Sequence, residues 1–199
     1  MSTTADRLLE AMARSAARQY GGEAVSELEH ALQCAELAEQ AGADEDLTMA
    51  ALLHDVGRYA VDQALIFDRV PGDGPPSRRS GARPRGHHEV GAELIAPWVP
   101  ERVAWCVRAH ADAKRYLCSV EPGYYDVLSP ASKRTLELQG GVMTTGEAAQ
   151  LAAHPWVADV VALRRWDDRA KVVGKATRPL SAWASLLRRY FRDAASPTT

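Results

Sequence analysis

The 199-residue chain reads as all-α, an orthogonal helical bundle, on three observations. Strand-type alternation is scarce, apolar residues recur at helical spacing, and helix-capping patterns stand at the starts of those apolar runs. The length suits one well-packed domain over residues 1–199.

The elements follow in order. Ser26 and Glu29 form an S-x-x-E capping pattern, which opens a helix through His30 to about residue 40, with Gly42 as its stop. A second helix, about 46–56, carries Leu47, Ala50, Ala51 and Leu53 and ends at Gly57. Repeated Pro, Gly and Arg residues over 69–86 disfavour regular structure and predict an exposed loop. Residues 88–96 and 101–111 read as helices. In the latter, Val103, Cys106, Val107 and His110 fall at i, i+3, i+4 and i+7, so His110 faces inward. Ser129-Pro130 is a cap followed by proline at the first helical position, and Thr144 with Glu147 is a second capping box. Over 156–172, Val160, Arg164, Asp167 and Lys171 share a face, so an inward Asp167 brings Arg164 with it. A closing helix over 181–191 packs Trp183, Leu186, Leu187 and Tyr190.

Composition narrows the function. The chain is 46% hydrophobic and 25% charged with a formal net charge of -2, so it has no global basic field to hold nucleic acid or an anionic membrane. A small-molecule ligand is expected. No apolar run approaches the ~20 residues that span a bilayer, and the polar N-terminus lacks a signal-peptide core, so a cytoplasmic protein is expected. Cys34, Cys106 and Cys118 are odd in number and lack C-x-x-C spacing, which suits buried thiols in a reducing compartment.

The strongest chemical signal is Ala50-Ala51-Leu52-Leu53-His54-Asp55-Val56-Gly57. An imidazole and a carboxylate at the end of an apolar helix are costly unless something pairs them, and a metal ion is the natural partner. His54 offers a nitrogen donor and Asp55 two oxygens able to bridge two cations, while Gly57 lets the backbone turn. Of the six histidines, His30, His87 and His110 extend the set. His88 competes with its neighbour His87, and His154, ahead of Pro155, reads as structural. Nitrogen and oxygen donors without thiolate suit iron, manganese, cobalt, nickel or zinc, and leave hydrolysis and oxygen chemistry both open.

Wider segments decide between these. Tyr20-Gly21-Gly22-Glu23, Val25 to Gln33, His87-x-Glu89-x-Gly91, His110 to Leu117, Ser129-Pro130-Ala131-Ser132, Gln139-Gly140-Gly141 and Leu163 to Asp168 together resemble the HD-domain mixed-valence di-iron oxygenases. The likeness is to the branch that cleaves carbon–phosphorus bonds in 1-hydroxyphosphonates, distant relatives of myo-inositol oxygenase, and it covers residues 20–172. The resemblance implies one iron held by His30, His54, Asp55 and Asp167 and a second held by Asp55, His87 and His110, as an Fe(II)/Fe(III) pair with O2 as co-substrate. Asp168 is the alternative to Asp167, although the order in Arg-Trp-Asp-Asp favours the first. Tyr20 and Glu23 match residues that screen the oxygen-binding side before substrate arrives, and Glu23 offers a partner for a substrate ammonium. Lys114, Ser132 and Arg164 suit an organophosphonate dianion, with Gln139 as a further candidate. Their structural alternatives are a solvated helix end for Lys114, a capping hydroxyl for Ser132 and a surface ion pair with Asp168 for Arg164. The competing functions are an HD phosphohydrolase acting on a nucleotide or phosphate ester, and a non-catalytic, degenerate HD ligand-binding module. Oligomeric state is not legible.

Overall fold

A computed structural model describes residues 2–59 and 85–192, and among them there are helices and one isolated bridge, Gln19 with Ser26, but no strand. Residues 69–84 of the loop expected at 69–86 lie outside the described residues. The helices are α1 (Thr4–Arg14), α2 (Glu27–Gln40), α3 (Glu45–Leu53), α4 (His87–Ile95), α5 (Glu101–Val120), α6 (Tyr124–Val127), α7 (Pro130–Leu138), α8 (Thr145–Ala152), α9 (Val157–Arg169) and α10 (Ala184–Tyr190). Among the described residues no helix is long and apolar enough to cross a membrane.

Local chemistry starts most of them. Ser26 accepts from the Glu29 amide while the Glu29 carboxylate returns to the Ser26 amide, and the same box stands at Thr3/Asp6 and Thr144/Glu147. Asp44 caps α3, and Ser129 caps α7 with Pro130 at its first turn.

The helices that matter for the site surround one core. α5 packs on α9, α4 and α3, while α2 packs on α3 and α9. Met49, Leu52, Leu53, Cys106, Val107 and Leu163 fill the space between them, each at most 1% exposed. At the far side α10 closes over α1 and buries Leu187, with Trp183 and Phe191 on either flank.

Three boundaries differ from expectation, each for a physical reason. α3 stops at Leu53 rather than running to 56, because Asp55 leaves the helical region (φ -102°, ψ 13°) and a 3₁₀ turn follows at Val56–Arg58. α5 continues past 111 to Val120, since Ala113, Lys114 and Leu117 are still buried on its inner face. α9 ends at Arg169, which leaves Lys171 on the segment beyond it. The N-terminal α1, not read from the sequence, is held by its Thr3 box and by burial of Leu8, Ala11 and Met12.

Candidate metal centre

Six side chains from five elements converge in the core: His30 from α2, His54 and Asp55 from the end of α3, His87 from the first turn of α4, His110 from the middle of α5 and Asp167 from α9. Three of the imidazoles are aimed by backbone carbonyls. Nδ1 of His30 donates to the Ala170 carbonyl, that of His54 to Ala51 and that of His110 to Val107, each at 2.8 Å. With Nδ1 protonated, each ring turns the lone pair of Nε2 inward.

The donors separate into two groups. His30, His54 and Asp167 form one, and Asp55, His87 and His110 the other. Asp55 faces both: Oδ1 lies 2.8 Å from His87 Nε2 and 3.8 Å from His110 Nε2, while Oδ2 lies 3.5 Å from His54 Nε2 and 3.9 Å from His30 Nε2. Asp167 Oδ1 stands 3.4 Å from His30 Nε2. His87 rather than His88 enters the cluster. The His88 ring is buried against Gly86, where a methyl group would meet it at 2.3 Å, and it contacts the His87 and His110 rings edge-on.

This arrangement is costly without a cation. The Nε2 atoms of His30 and His54 are 3.0 Å apart with both Nδ1 protons directed elsewhere, so two lone pairs oppose each other. Both Asp55 oxygens are buried without a hydrogen-bond partner. Burial holds the His54 and His110 imidazoles below their ordinary range, keeping them neutral and able to ligate. Burial pushes the Asp55 carboxyl up, but Arg58, His54 and His87 beside it prevail and hold it well below the carboxylate range. Asp167 is likewise ionised against its burial, chiefly by Arg164. Neutral imidazoles and anionic carboxylates in two adjoining groups fit a pair of divalent or trivalent metal ions.

Around the cluster, Tyr20 stacks on the His30 ring with centroids 3.8 Å apart and 14° between planes, its hydroxyl 3.4 Å from Asp167 Oδ1. Burial, then the Asp167 charge, pushes the phenol up, so it stays protonated. Lys114 is no solvated helix end: 2% exposed, it donates to the Ser132 carbonyl at 3.1 Å and to Thr135 Oγ1 at 2.6 Å. Ser132 is not the α7 cap, which is Ser129; its hydroxyl accepts from Lys171 at 3.0 Å. Arg164 pairs with Asp168, as one reading expected, yet in the interior. It also holds Asp167 Oδ2 at 2.6 Å and donates to the Tyr124 hydroxyl. Glu23 accepts from Ser129 Oγ at 2.5 Å and lies 3.4 Å from the Lys171 ammonium. Gln139 stands apart from these, on a groove of about 400 Å³ shared with His88, Asp112 and Arg115.

Sequence reasoning overlooked Arg58, whose Nε lies 3.0 Å from Asp55 Oδ2 and whose guanidinium covers the Tyr20 ring at 4.9 Å. The spacing i, i+3 from Asp55 is the signal that pointed to it. Nothing local pointed to Thr135 or Tyr124, which reach the site only through the packing of α6 and α7.

Removing one ligand of the first group separates the two groups' roles. Asp167→Ala is expected to lower the number of metal ions the chain binds while the fold persists, because its partner Arg164 keeps Asp168. Metal analysis with circular dichroism checks this; undiminished metal binding in the variant would defeat the assignment.

Comparison with known proteins places these residues in company. The HD domain family matches residues 28–143. The chain is 42% identical over 157 residues to a hydroxymethylphosphonate dioxygenase of Gimesia maris, covering 79% of this chain and 73% of that one. It is 34% identical, over 86% of its length and 82% of the relative's, to a [1-hydroxy-2-(trimethylamino)ethyl]phosphonate dioxygenase (glycine-betaine-forming) of Leisingera caerulea. An uncharacterized protein of Acanthamoeba polyphaga mimivirus is 31% identical over 87% of this chain and 75% of its own.

Proposed function

Because the chain belongs to the HD-domain phosphonate dioxygenase family, we propose that it uses O2 to cleave the C–P bond of a 1-hydroxyalkylphosphonate at a mixed-valence Fe(II)/Fe(III) pair. The products are a carboxylic acid and inorganic phosphate. One R–CH(OH)–PO3H2 and one O2 become R–COOH and H3PO4, so the four electrons released in breaking C–H and C–P are those that O2 accepts, and no other reductant enters.

The observation that carries this reading is the single buried carboxylate, Asp55, shared between two His/Asp groups. In the proposed assignment His30, His54 and Asp167 would hold one iron and His87 and His110 the other, with Asp55 able to serve both. The chemistry a bound iron pair supplies is electron exchange with O2 and a place for the substrate oxygens, which imidazole and carboxylate alone do not offer. The chain's own residues do the positioning. Lys114, buried and hydrogen-bonded only to neutral oxygens among the described residues, offers its charge to the phosphonate. Ser132 accepts from Lys171 and so has its own proton to donate to a phosphonate oxygen. Arg164 keeps Asp167 ionised and aimed, and Tyr20 covers the His30 side against O2 and water until substrate displaces it. Gln139, on its separate groove, is left as an outer contact.

The deciding experiment is anaerobic loading with iron followed by O2 uptake and phosphate release on hydroxymethylphosphonate. Phosphate release matched to O2 consumption is expected. Oxygen-independent release from phosphate esters would establish the phosphohydrolase instead.

Lys114 adds a pH signature. Burial, with Arg164 nearby, lowers its ammonium from the ordinary 10.5 to about 7. The cation is present below that value and lost above it, so kcat/KM is expected to fall as pH rises through about 7, reporting the free enzyme. Lys114→Arg, charged throughout, removes that limb; an unchanged profile in the variant would refute the role.

A further inference from the structure

Charge around the substrate side of the centre is unevenly matched. Arg164 is engaged by Asp167 and Asp168, whereas Lys114 bonds only to neutral oxygens among the described residues and so awaits an anion. Among the described residues Glu23 is a carboxylate on this side outside the metal-ligand set and the Arg164 pair, and it is already compensated. Its Oε1 accepts from Ser129 Oγ at 2.5 Å and lies 3.4 Å from Lys171 Nζ. Both side chains of that pair are withdrawn from water, at 17% and 12% exposure, so solvent screens it little. The same Lys171 nitrogen donates to Ser132 Oγ and stands 5.9 Å from the Tyr20 ring, and the Arg58 guanidinium covers that ring at 4.9 Å. A group entering beside Tyr20 and Glu23 therefore meets two cations and a neutralised carboxylate.

We propose that Lys171 determines which substituent the site takes: by neutralising Glu23 it selects hydroxyphosphonates whose second carbon is absent or carries no cation. The proposal rests on the phosphonate reading above. Its physical basis is that a carboxylate with its own ammonium attracts a second cation weakly, while the repulsion from that ammonium, offset in large part by the same carboxylate, leaves a net change in affinity of roughly tenfold. The anionic end is common to both kinds of substrate and meets Lys114 and Ser132 alike in each.

The test compares an isosteric pair that differs only in charge: [1-hydroxy-2-(trimethylamino)ethyl]phosphonate and 1-hydroxy-3,3-dimethylbutylphosphonate, in which carbon replaces the nitrogen. Anaerobic calorimetric titration of the iron-loaded protein reads binding without turnover. The native chain is expected to favour the neutral isostere by about tenfold, Lys171→Gln to shift the ratio of the two Kd values about tenfold towards the cation, and Lys171→Arg to leave it in place. A general loss of affinity in Lys171→Gln through Ser132 cancels in the ratio. An unmoved ratio in Lys171→Gln, or native preference for the cation, overturns the role of Lys171. Hydroxymethylphosphonate, which has no second carbon, tests the underlying reading: if the native chain does not bind it, the proposed function falls and this inference with it.

Discussion

Asp55→Asn is expected to reduce turnover on the order of a thousandfold and to leave fewer than two irons per chain. The carboxylate presents Oδ1 to His87 and His110 and Oδ2 to His54 and His30. An amide keeps a weak oxygen donor towards one group and turns N–H donors towards the other, so one ion loses a ligand and the pair loses a unit of negative charge. Metal stabilisation of developing charge contributes several kcal/mol to such reactions, and about 4 kcal/mol corresponds to that loss in rate. The metal-free fold should lose some stability, because Arg58 at 3.0 Å and the imidazoles beside it hold Asp55 ionised against its burial, and an amide gives up that pairing. The bridging role is therefore read from the metal: the rise in Tm on adding iron should vanish in Asp55→Asn, whatever its metal-free Tm. Full iron binding with native turnover in Asp55→Asn would sink the bridging assignment.

Gly57→Ala should damage the fold and, through it, the site. A methyl group there would lie 1.9 Å from the His87 carbonyl oxygen and 2.8 Å from the Gly91 amide, and one on Gly91 would lie 2.9 Å from the Gly57 amide. These are backbone atoms, which cannot swing aside, so the Val56–Arg58 turn and the start of α4 must separate. Overpacking of this kind costs about 3 kcal/mol, which lowers Tm by roughly 6–12 °C in a chain of this size. The same separation moves Asp55 from His87 and should abolish iron binding. Gly146→Ala is the control: nothing lies within 4 Å of its added methyl, and in α8 alanine is the better helix former. Equal Tm values for Gly57→Ala and Gly146→Ala would show that the contact yields.

How much of this was legible depends on the range over which each feature is determined. The capping boxes at Ser26 and Thr144, the cap at Ser129 and the inward placing of His110 follow from neighbours a few residues away, and the structure has them where the sequence put them. The end of α3 was misjudged because it is imposed from outside, by the close approach of Gly57 to α4. The extra length of α5 was missed because the burial that sustains it is long-range: Leu117 packs with Tyr124 and Leu128, and Lys114 is covered by Ser132 and Thr135 of α7, contacts that no pattern within α5 announces.

The sequence by itself determined the donor inventory: four histidines and two aspartates on or beside apolar helices, rich in nitrogen and oxygen and free of thiolate, with lysine, serine and arginine able to meet an anion. That much follows from residue type read together with the resemblance to the HD-domain oxygenases, which is what singled out Asp167. The resemblance already named His87 and a shared Asp55; the tertiary structure supplies the distances that set the donor atoms in two groups with one Asp55 oxygen towards each, and it alone sets Lys171 against Glu23. Ligation and ion pairing depend on ångström-scale distances between groups on different helices, and those distances exist only once α2, α3, α4, α5 and α9 have packed around their common core.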